Sequence, residues 1–496
     1  MSIIESFPFF SIVLPMVISV ISSALKGKMA KWVNTFVITL VTIMSAILLF
    51  YVVGTNQSFV YKMGEFAAPF GNEIRGGILE AGMSLFFCII MLLSLVGGRK
   101  YLENEVEHAK LNLYYILIGL LLSSLLALVY TNDLFNAYVF IEINTIAACG
   151  IIMIRQNGKT IEASMRYIIM SSVGSGLILI GISIIYGTTG NLAMSSIKTQ
   201  VTQIMETGTY SIPLMVSVAL IFVGLAIKCA LYPFHSWLPD AYGYSTIASA
   251  AILSSLVSKG YIFLLIKIFY RVIGFDIISQ SKIVNILFVF GLCGMIMGSL
   301  SAIKENDIRR MISYSSVAQI GYIFMGFGLG TTAGMVASIF HIISHSVTKS
   351  LLFVSAMGLI EVSGSSRHFK ELTGSGYRNK IAGIVFTIGS LSMVGIPTFC
   401  GFISKLLFAE AAVSSVDKML PTLIVLAIST ILNAIYFMKT VIRIYTPATT
   451  EFTTVSFNKN IYYSISLILF GALNILVGLC SQPVVDLIYK GIDMFA

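Results

Sequence analysis

Glu142, Lys228, Lys259, His345, Lys349 and Lys405 stand inside long apolar runs of this sequence. A charged group at the centre of a bilayer helix costs roughly 2.5–3.5 kcal/mol on insertion scales, so such groups face a protein interior or a wet cavity and commonly mark routes for ions or protons. The chemistry open to them is proton transfer between groups whose charge each neighbour controls. Within Phe340-His341-Ile342-Ile343-Ser344-His345-Ser346-Val347-Thr348-Lys349, His341, His345 and Lys349 fall four residues apart and so share one helical face. A His-x-x-x-His pair could hold a metal. No carboxylate or thiolate accompanies it within a turn, however, and the lysine opposes a cation, so the face reads as a proton carrier. For His341 the plainer alternative is a core histidine hydrogen-bonded to a serine.

Glu142 lies well inside its apolar run and needs a cationic partner. Lys228 is the natural one, and a pair that opens and closes decides when the lysine holds its proton. Lys259 is the next carrier. Lys267, near the end of the same run, either extends the series or snorkels to the membrane surface. Lys405 is the last link, with Glu410 as an exit group and His235 as a supporting one.

The elements that position these groups are membrane spans. With 57% hydrophobic and 11% charged residues, the chain has too little polar surface to cover a soluble core. Apolar stretches near the ~20 residues that cross a bilayer as helix recur throughout. They fall at about 3–25, 33–53, 78–97, 112–130, 134–154, 164–187, 211–232, 244–270, 283–303, 311–329, 333–360, 381–411, 420–442 and 461–481, which predicts an all-α polytopic protein of about fourteen transmembrane helices. Loops after odd-numbered spans carry nineteen Lys and Arg residues against six after even-numbered spans. The positive-inside rule therefore puts the odd loops in the cytoplasm and both termini outside. Lys62 and Lys198 are expected in loops. The net charge of +9 is then topogenic charge plus buried lysines, and calls for no nucleic acid partner.

Two spans contain helix breakers. In the seventh, Pro233 and Pro239 follow Lys228; in the twelfth, Pro397 and Gly401 precede Lys405. Interrupted backbone at membrane depth persists only where protein or water satisfies it, and paired interruptions in two halves of a chain point to an ion site between inverted repeats. The chain accordingly divides into N-terminal spans (1–110), a first five-helix repeat (111–270), an inverted second repeat (271–445) and a C-terminal span (446–496). The plain alternative is that the prolines only kink helices. The cysteines are scattered singly with no C-x-x-C pair, and there is no P-loop or dinucleotide fingerprint. No cofactor is expected in this chain, so redox chemistry or nucleotide hydrolysis would belong to another subunit.

Phe140-Ile141-Glu142, the stretch from Lys228 to Phe234-His235-Ser236-Trp237-Leu238-Pro239-Asp240-Ala241, the HxxxHxxxK face and the segment from Asp307-Ile308-Arg309-Arg310 to Gln319-Ile320-Gly321-Tyr322 together resemble the proton-conducting antiporter-like subunits. These occur in Mrp-type multisubunit cation/proton antiporters, respiratory complex I and membrane-bound hydrogenases. The resemblance runs from about residue 110 to 445. It implies fourteen helices, inverted five-helix repeats with helices 7 and 12 broken, a Glu142–Lys228 switching pair, a central relay of Lys259 and the His345–Lys349 face, and Lys405 as the terminal proton site. It also implies a prokaryotic cytoplasmic membrane, hydrophobic partner subunits, and H+ with Na+ as the ions. Ser346 stands where the family commonly has alanine. The absence of a long lateral helix reads as a D-type Mrp subunit exchanging Na+ for H+. Alternatives are the homologous pumping subunit of a hydrogenase or complex I-like oxidoreductase, whose partners would carry iron–sulfur or nickel–iron centres, and a non-conducting scaffold.

Overall fold

Hydrocarbon offers no water to backbone N–H and C=O groups, so a chain this apolar must satisfy them within helices. The computed structural model describes residues 3–66, 71–447 and 460–495, and they are almost wholly helical. In order these are α1 (Phe7–Ser22), α2 (Gly27–Thr55), α3 (Ile78–Glu105), α4 (Leu111–Tyr130), α5 (Leu134–Met153), α6 (Gly158–Thr189), α7 (Met194–Thr207), α8 (Ser211–Cys229), α9 (Leu238–Tyr244), α10 (Ile247–Ile252), α11 (Ser258–Ile268), α12 (Phe275–Gln280), α13 (Lys282–Lys304), α14 (Ile308–Gly328), α15 (Thr332–Glu361), α16 (Ser375–Arg378), α17 (Lys380–Val394), α18 (Cys400–Val413), α19 (Val416–Tyr445), α20 (Ile461–Leu479) and α21 (Ser481–Asp493). A short antiparallel ribbon, β1 (Phe59–Lys62) with β2 (Glu73–Gly76), crosses between α2 and α3 and pairs Val60 with Arg75.

Twelve of these helical segments are long and apolar enough to cross a membrane. The tenth and twelfth predicted spans are not among them. They appear as α14, which carries Arg309, Arg310 and several buried serines, and as the pair α17 and α18, each too short to cross alone. The residues expected in loops lie between the membrane-crossing segments, within short regular elements. Lys62 lies in β1, and Lys198 lies in α7, a helix of low mean hydropathy that packs on the end of the α11 span. Arg75 of β2 is buried against Glu80 at 2.5 Å. Lys459, one of the nineteen basic residues in the tally, lies outside the described residues.

The breakers also act differently from one another. Helix α8 stops at Ala230, in the left-handed region, and the cis Tyr232–Pro233 bond follows. Pro239 instead sits in the first turn of α9, where its missing N–H leaves nothing unsatisfied. Pro397 lies in the gap between α17 and α18, but Gly401 is inside α18. A Cβ at Gly401 would lie 1.9 Å from the Ser392 carbonyl oxygen, so glycine serves close approach rather than a break.

Two helical segments form the axis. Over their most apolar windows Ile247–Ile273, which includes α10 and α11, is fully buried and α15 is 94% buried, whereas α19 and α6 are less than half buried. Around them helices meet through small residues, as membrane helices do. At the α13–α14 crossing a Cβ on Gly321 would stand 2.6 Å from the Met295 backbone nitrogen, and one on Gly291 would stand 2.4 Å from that of Met325. Overpacking costs about 1–3 kcal/mol. Gly321→Val is therefore expected to lower the yield and thermal stability of folded protein in detergent; a melting curve matching the wild type would contradict this packing.

Candidate functional site

Asp133 starts α5 by accepting the Asn136 N–H at 2.7 Å, which sets Glu142 and Thr145 one turn apart on the face toward α8. Lys228 ends α8, its side chain wholly buried. Its Nζ lies 3.8 Å from Glu142 Oε1 and donates to Thr145 Oγ1 at 2.6 Å. At the break after α8 the Ile227 carbonyl accepts both the Ala230 N–H at 3.1 Å and the Trp237 indole N–H at 3.2 Å. A cation at the carbonyl end of a helix is favoured by the helix dipole. Lys228 also stands 5.8 Å over the Tyr261 ring, whose hydroxyl donates to Asn144 Oδ1, itself on a chain to Ser124. Glu142 is one-third exposed on the outside of the helix bundle.

Lys259 occupies the first turn of α11, immediately after a π-helical turn over Leu253–Val257. Such turns widen the helix and release carbonyls, and they recur at functional sites. Here the Lys259 ammonium takes the Ser254 carbonyl. Ser255 of the same turn bonds Ser350 of α15 at 2.7 Å. This seats Lys259 within electrostatic reach of His345 and Lys349.

On α15 the rings of His341 and His345 lie parallel, 5.8 Å apart. His341 Nδ1 bonds Ser404 Oγ at 2.6 Å, while His341 Nε2 and both His345 ring nitrogens have no hydrogen-bond partner among the described residues. Buried polar atoms are ordinarily satisfied, so three open imidazole nitrogens on one buried face are an uncommon arrangement. Lys349 donates to the Ile312 carbonyl at 2.8 Å and to Ser315 Oγ. Lys405, half-buried in α18, reaches back across the break to the Val394 carbonyl at 2.7 Å and to Thr430 Oγ1 at 3.0 Å. It stands 5.9 Å over the ring of Tyr322, which stacks on His341 at 5.4 Å. Lys228 and Lys405 thus both sit at the carbonyl end of an interrupted helix, one before its break and one after.

Other expected members lie elsewhere. Lys267 does not snorkel: it is fully buried and caps the end of α4 through the Val129 and Thr131 carbonyls. His235 is half-buried in the α8 break and stacks on Tyr232 at 5.3 Å. Glu410 is exposed near the end of α18. Among the described residues no group of three or more His, Cys, Asp or Glu side chains converges as metal ligands. Sequence reasoning passed over Thr145, Ser315, Tyr322, Ser404 and Thr430, all hydroxyls that touch or face the titratable groups. Their signal is spacing: Thr145 is three residues from Glu142, and the serines of Ser313-Tyr314-Ser315-Ser316 interrupt an apolar run. A hydrogen bond to a charged group contributes ~1.5–3 kcal/mol. Thr145→Val, which keeps the shape, is expected to slow transport about tenfold in vesicles without loss of assembly; an unchanged rate would remove Thr145 from the site.

Residues 131–433 match the family model described as NADH:quinone oxidoreductase/Mrp antiporter, TM. The chain is 28% identical over 446 residues to NADH-quinone oxidoreductase subunit N of Desulforudis audaxviator, covering 88% of this chain and 86% of that one. It is 29% identical over 408 residues to a Staphylococcus aureus chain bearing the name antiporter subunit mnhD2, covering 81% and 78%. A chain of the archaeal membrane-bound sulfane sulfur reductase superposes with a TM-score of 0.89 at 25% identity over 98% of this chain and 97% of that one. A chain of the Mrp complex from Dietzia sp. DQ12-45-1b superposes with a TM-score of 0.87 at 22% identity over 99% and 97%, and shares the fold.

Proposed function

Because this chain belongs to the NADH:quinone oxidoreductase/Mrp antiporter transmembrane family, we propose that it is a proton-translocating, antiporter-like membrane subunit whose conductor is Glu142, Lys228, Lys259, His345, Lys349, His341 and Lys405. The observation that carries this reading is that these groups stand on α5, α8, α11, α15 and α18, the middle ones within the two most buried segments of the molecule. Among the described residues, the Glu142–Lys228 contact is the one ion pair in the series. The other ammonium groups are held by carbonyls and hydroxyls, which stabilise a proton without fixing it there as a carboxylate would. Movement of Glu142 away from Lys228 leaves a buried ammonium with Thr145 alone, and the proton then passes toward Lys259. A charge arriving at Lys259 acts in turn on His345 and Lys349, and the stacked histidines lead to Lys405.

The parent assembly in this reading is an Mrp-type antiporter, with this chain as its D-type subunit exchanging Na+ for H+ beside other hydrophobic subunits. A carboxylate one-third exposed at membrane depth supports such a neighbour, since lipid would leave it unsolvated. The opposed placement of the lysines about the breaks in α8 and in α17–α18 supports inverted repeats within a fourteen-helix scaffold, with cytoplasmic basic loops and external termini. The second reading is the pumping subunit of a redox complex, whose iron–sulfur or nickel–iron centres would reside on partners. It is favoured by the subunit N relative, covered to 86% of its length, and by the sulfane reductase chain, which superposes at 25% identity. Purification of the native complex in mild detergent separates the two. Small hydrophobic subunits alone are the expected companions; co-purifying metal–sulfur proteins would replace the antiporter reading by the redox one.

A further inference from the structure

The outward stripe of α3 ends in a cation with no neutralising partner among the described residues. The Arg99 guanidinium stands over the Trp32 ring of α2 at 4.8 Å and over the Tyr462 ring of α20 at 5.3 Å. Such contacts place the charge without hydrogen-bonding it, and among the described residues Arg99 has no hydrogen-bond or ion-pair partner, so its N–H fork is open. The acids beside it are taken: Glu103 by Lys31 at 2.6 Å and Glu361 by Lys100 at 3.7 Å. Lys28, one turn before Trp32 on α2, is exposed. The end of the stripe is therefore basic.

The rest of the stripe is apolar. Leu85, Phe86, Ile89, Leu92, Leu93 and Val96 follow at helical spacing, each part-exposed. Helices α2 and α20 both pack on α3 and flank it at Arg99. Between them α3 is recessed: over their most apolar windows it is 67% buried, against 39% for α2 and 44% for α20. The stripe is thus the floor of an apolar furrow. From Leu85 to Val96 it runs about 17 Å at 1.5 Å per residue, a little over half of the ~30 Å hydrocarbon core, which is the reach of an acyl chain in one leaflet. Trp and Tyr rings gather at the headgroup level of a bilayer, and the Trp32 and Tyr462 rings hold Arg99 at that level.

We infer that this furrow binds a phospholipid with an anionic, amine-free headgroup, its phosphate on the Arg99 fork and an acyl chain along the α3 stripe. The planar fork of an arginine matches two phosphate oxygens at once, and basic pockets between membrane helices recognise anionic lipids in this way. A zwitterionic headgroup would bring its own ammonium beside Arg99, Lys100 and Lys28, whereas a headgroup charged only at its phosphate meets cations there and two carboxylates already paired with lysines. The lipid bridges α2 and α20, and so ties the N-terminal spans to the C-terminal one. None of the Glu142–Lys405 series lies on these three helices, and the site stands independently of the relay.

The test reconstitutes the purified complex with phosphatidylglycerol carrying a photoreactive diazirine in its acyl chain, illuminates it, and reads the labelled peptides by mass spectrometry. Label is expected on Leu85–Val96, displaced by excess unlabelled phosphatidylglycerol but not by phosphatidylcholine. In Arg99→Gln, at equal complex content, it is expected to fall about tenfold, and Arg99→Lys, which keeps the charge but not the fork, is expected to lie between. Equal displacement by the two lipids would mean bulk annular lipid and overturn the site, as would undiminished labelling of Arg99→Gln. No label on the stripe would mean that a neighbouring protein covers the furrow, which overturns it too. The competition is read on the wild type, so it decides the matter even where a variant fails to assemble.

Discussion

Lys228→Ala is expected to reduce proton-coupled transport to background while the complex still assembles. Among the described residues Lys228 is the one cation paired with Glu142, and it is the first ammonium of the buried series. Alanine removes both the carrier and the group on which the carboxylate acts. Stripping one member from a buried pair commonly destabilises by ~3–5 kcal/mol because the other charge is left alone. Here Glu142 is one-third exposed and can turn outward, so the loss falls on transport more than on folding. Dye-reported exchange in everted vesicles, with complex content measured alongside, checks this. Wild-type exchange by the alanine variant would remove the pair from the mechanism.

Glu142→Gln should be nearly as severe, for a different reason. Glutamine fills the same space and leaves the Lys228 contact with Thr145 at 2.6 Å in place, so the carrier survives and only the charge that governs it is lost. Two residues acting as one unit give non-additive losses. The double variant should be no slower than the worse single one. A double variant whose deficit is the product of both would mean that Glu142 and Lys228 act independently.

Much of this arrangement was legible in the residues. Apolar stretches of the sequence overlap all twelve helical segments long and apolar enough to cross a membrane, and a lysine or carboxylate in such a run points to a polar interior because hydrocarbon penalises it. The 3.6-residue repeat placed His341, His345 and Lys349 on one face, where the structure has them. Tertiary context stayed hidden. Lys267 looked able to snorkel, but the helix end it caps comes from α4, more than a hundred residues earlier. Pro239 and Pro233 read alike as breakers although one opens a helix. The π-turn before Lys259 has no sequence mark at all, since it is set by packing against α15. The hydroxyl partners escaped notice because serine and threonine are common in membrane helices and their partners lie on other spans.

The relay stands or falls most directly on Lys349, fully buried on α15 with His341 and His345. Proton uptake into proteoliposomes holding the purified complex, wild type against Lys349→Ala at equal protein content, is the measurement. The account predicts that the variant takes up protons no faster than protein-free liposomes. Uptake at the wild-type rate would contradict it and leave the buried charges without a role in conduction.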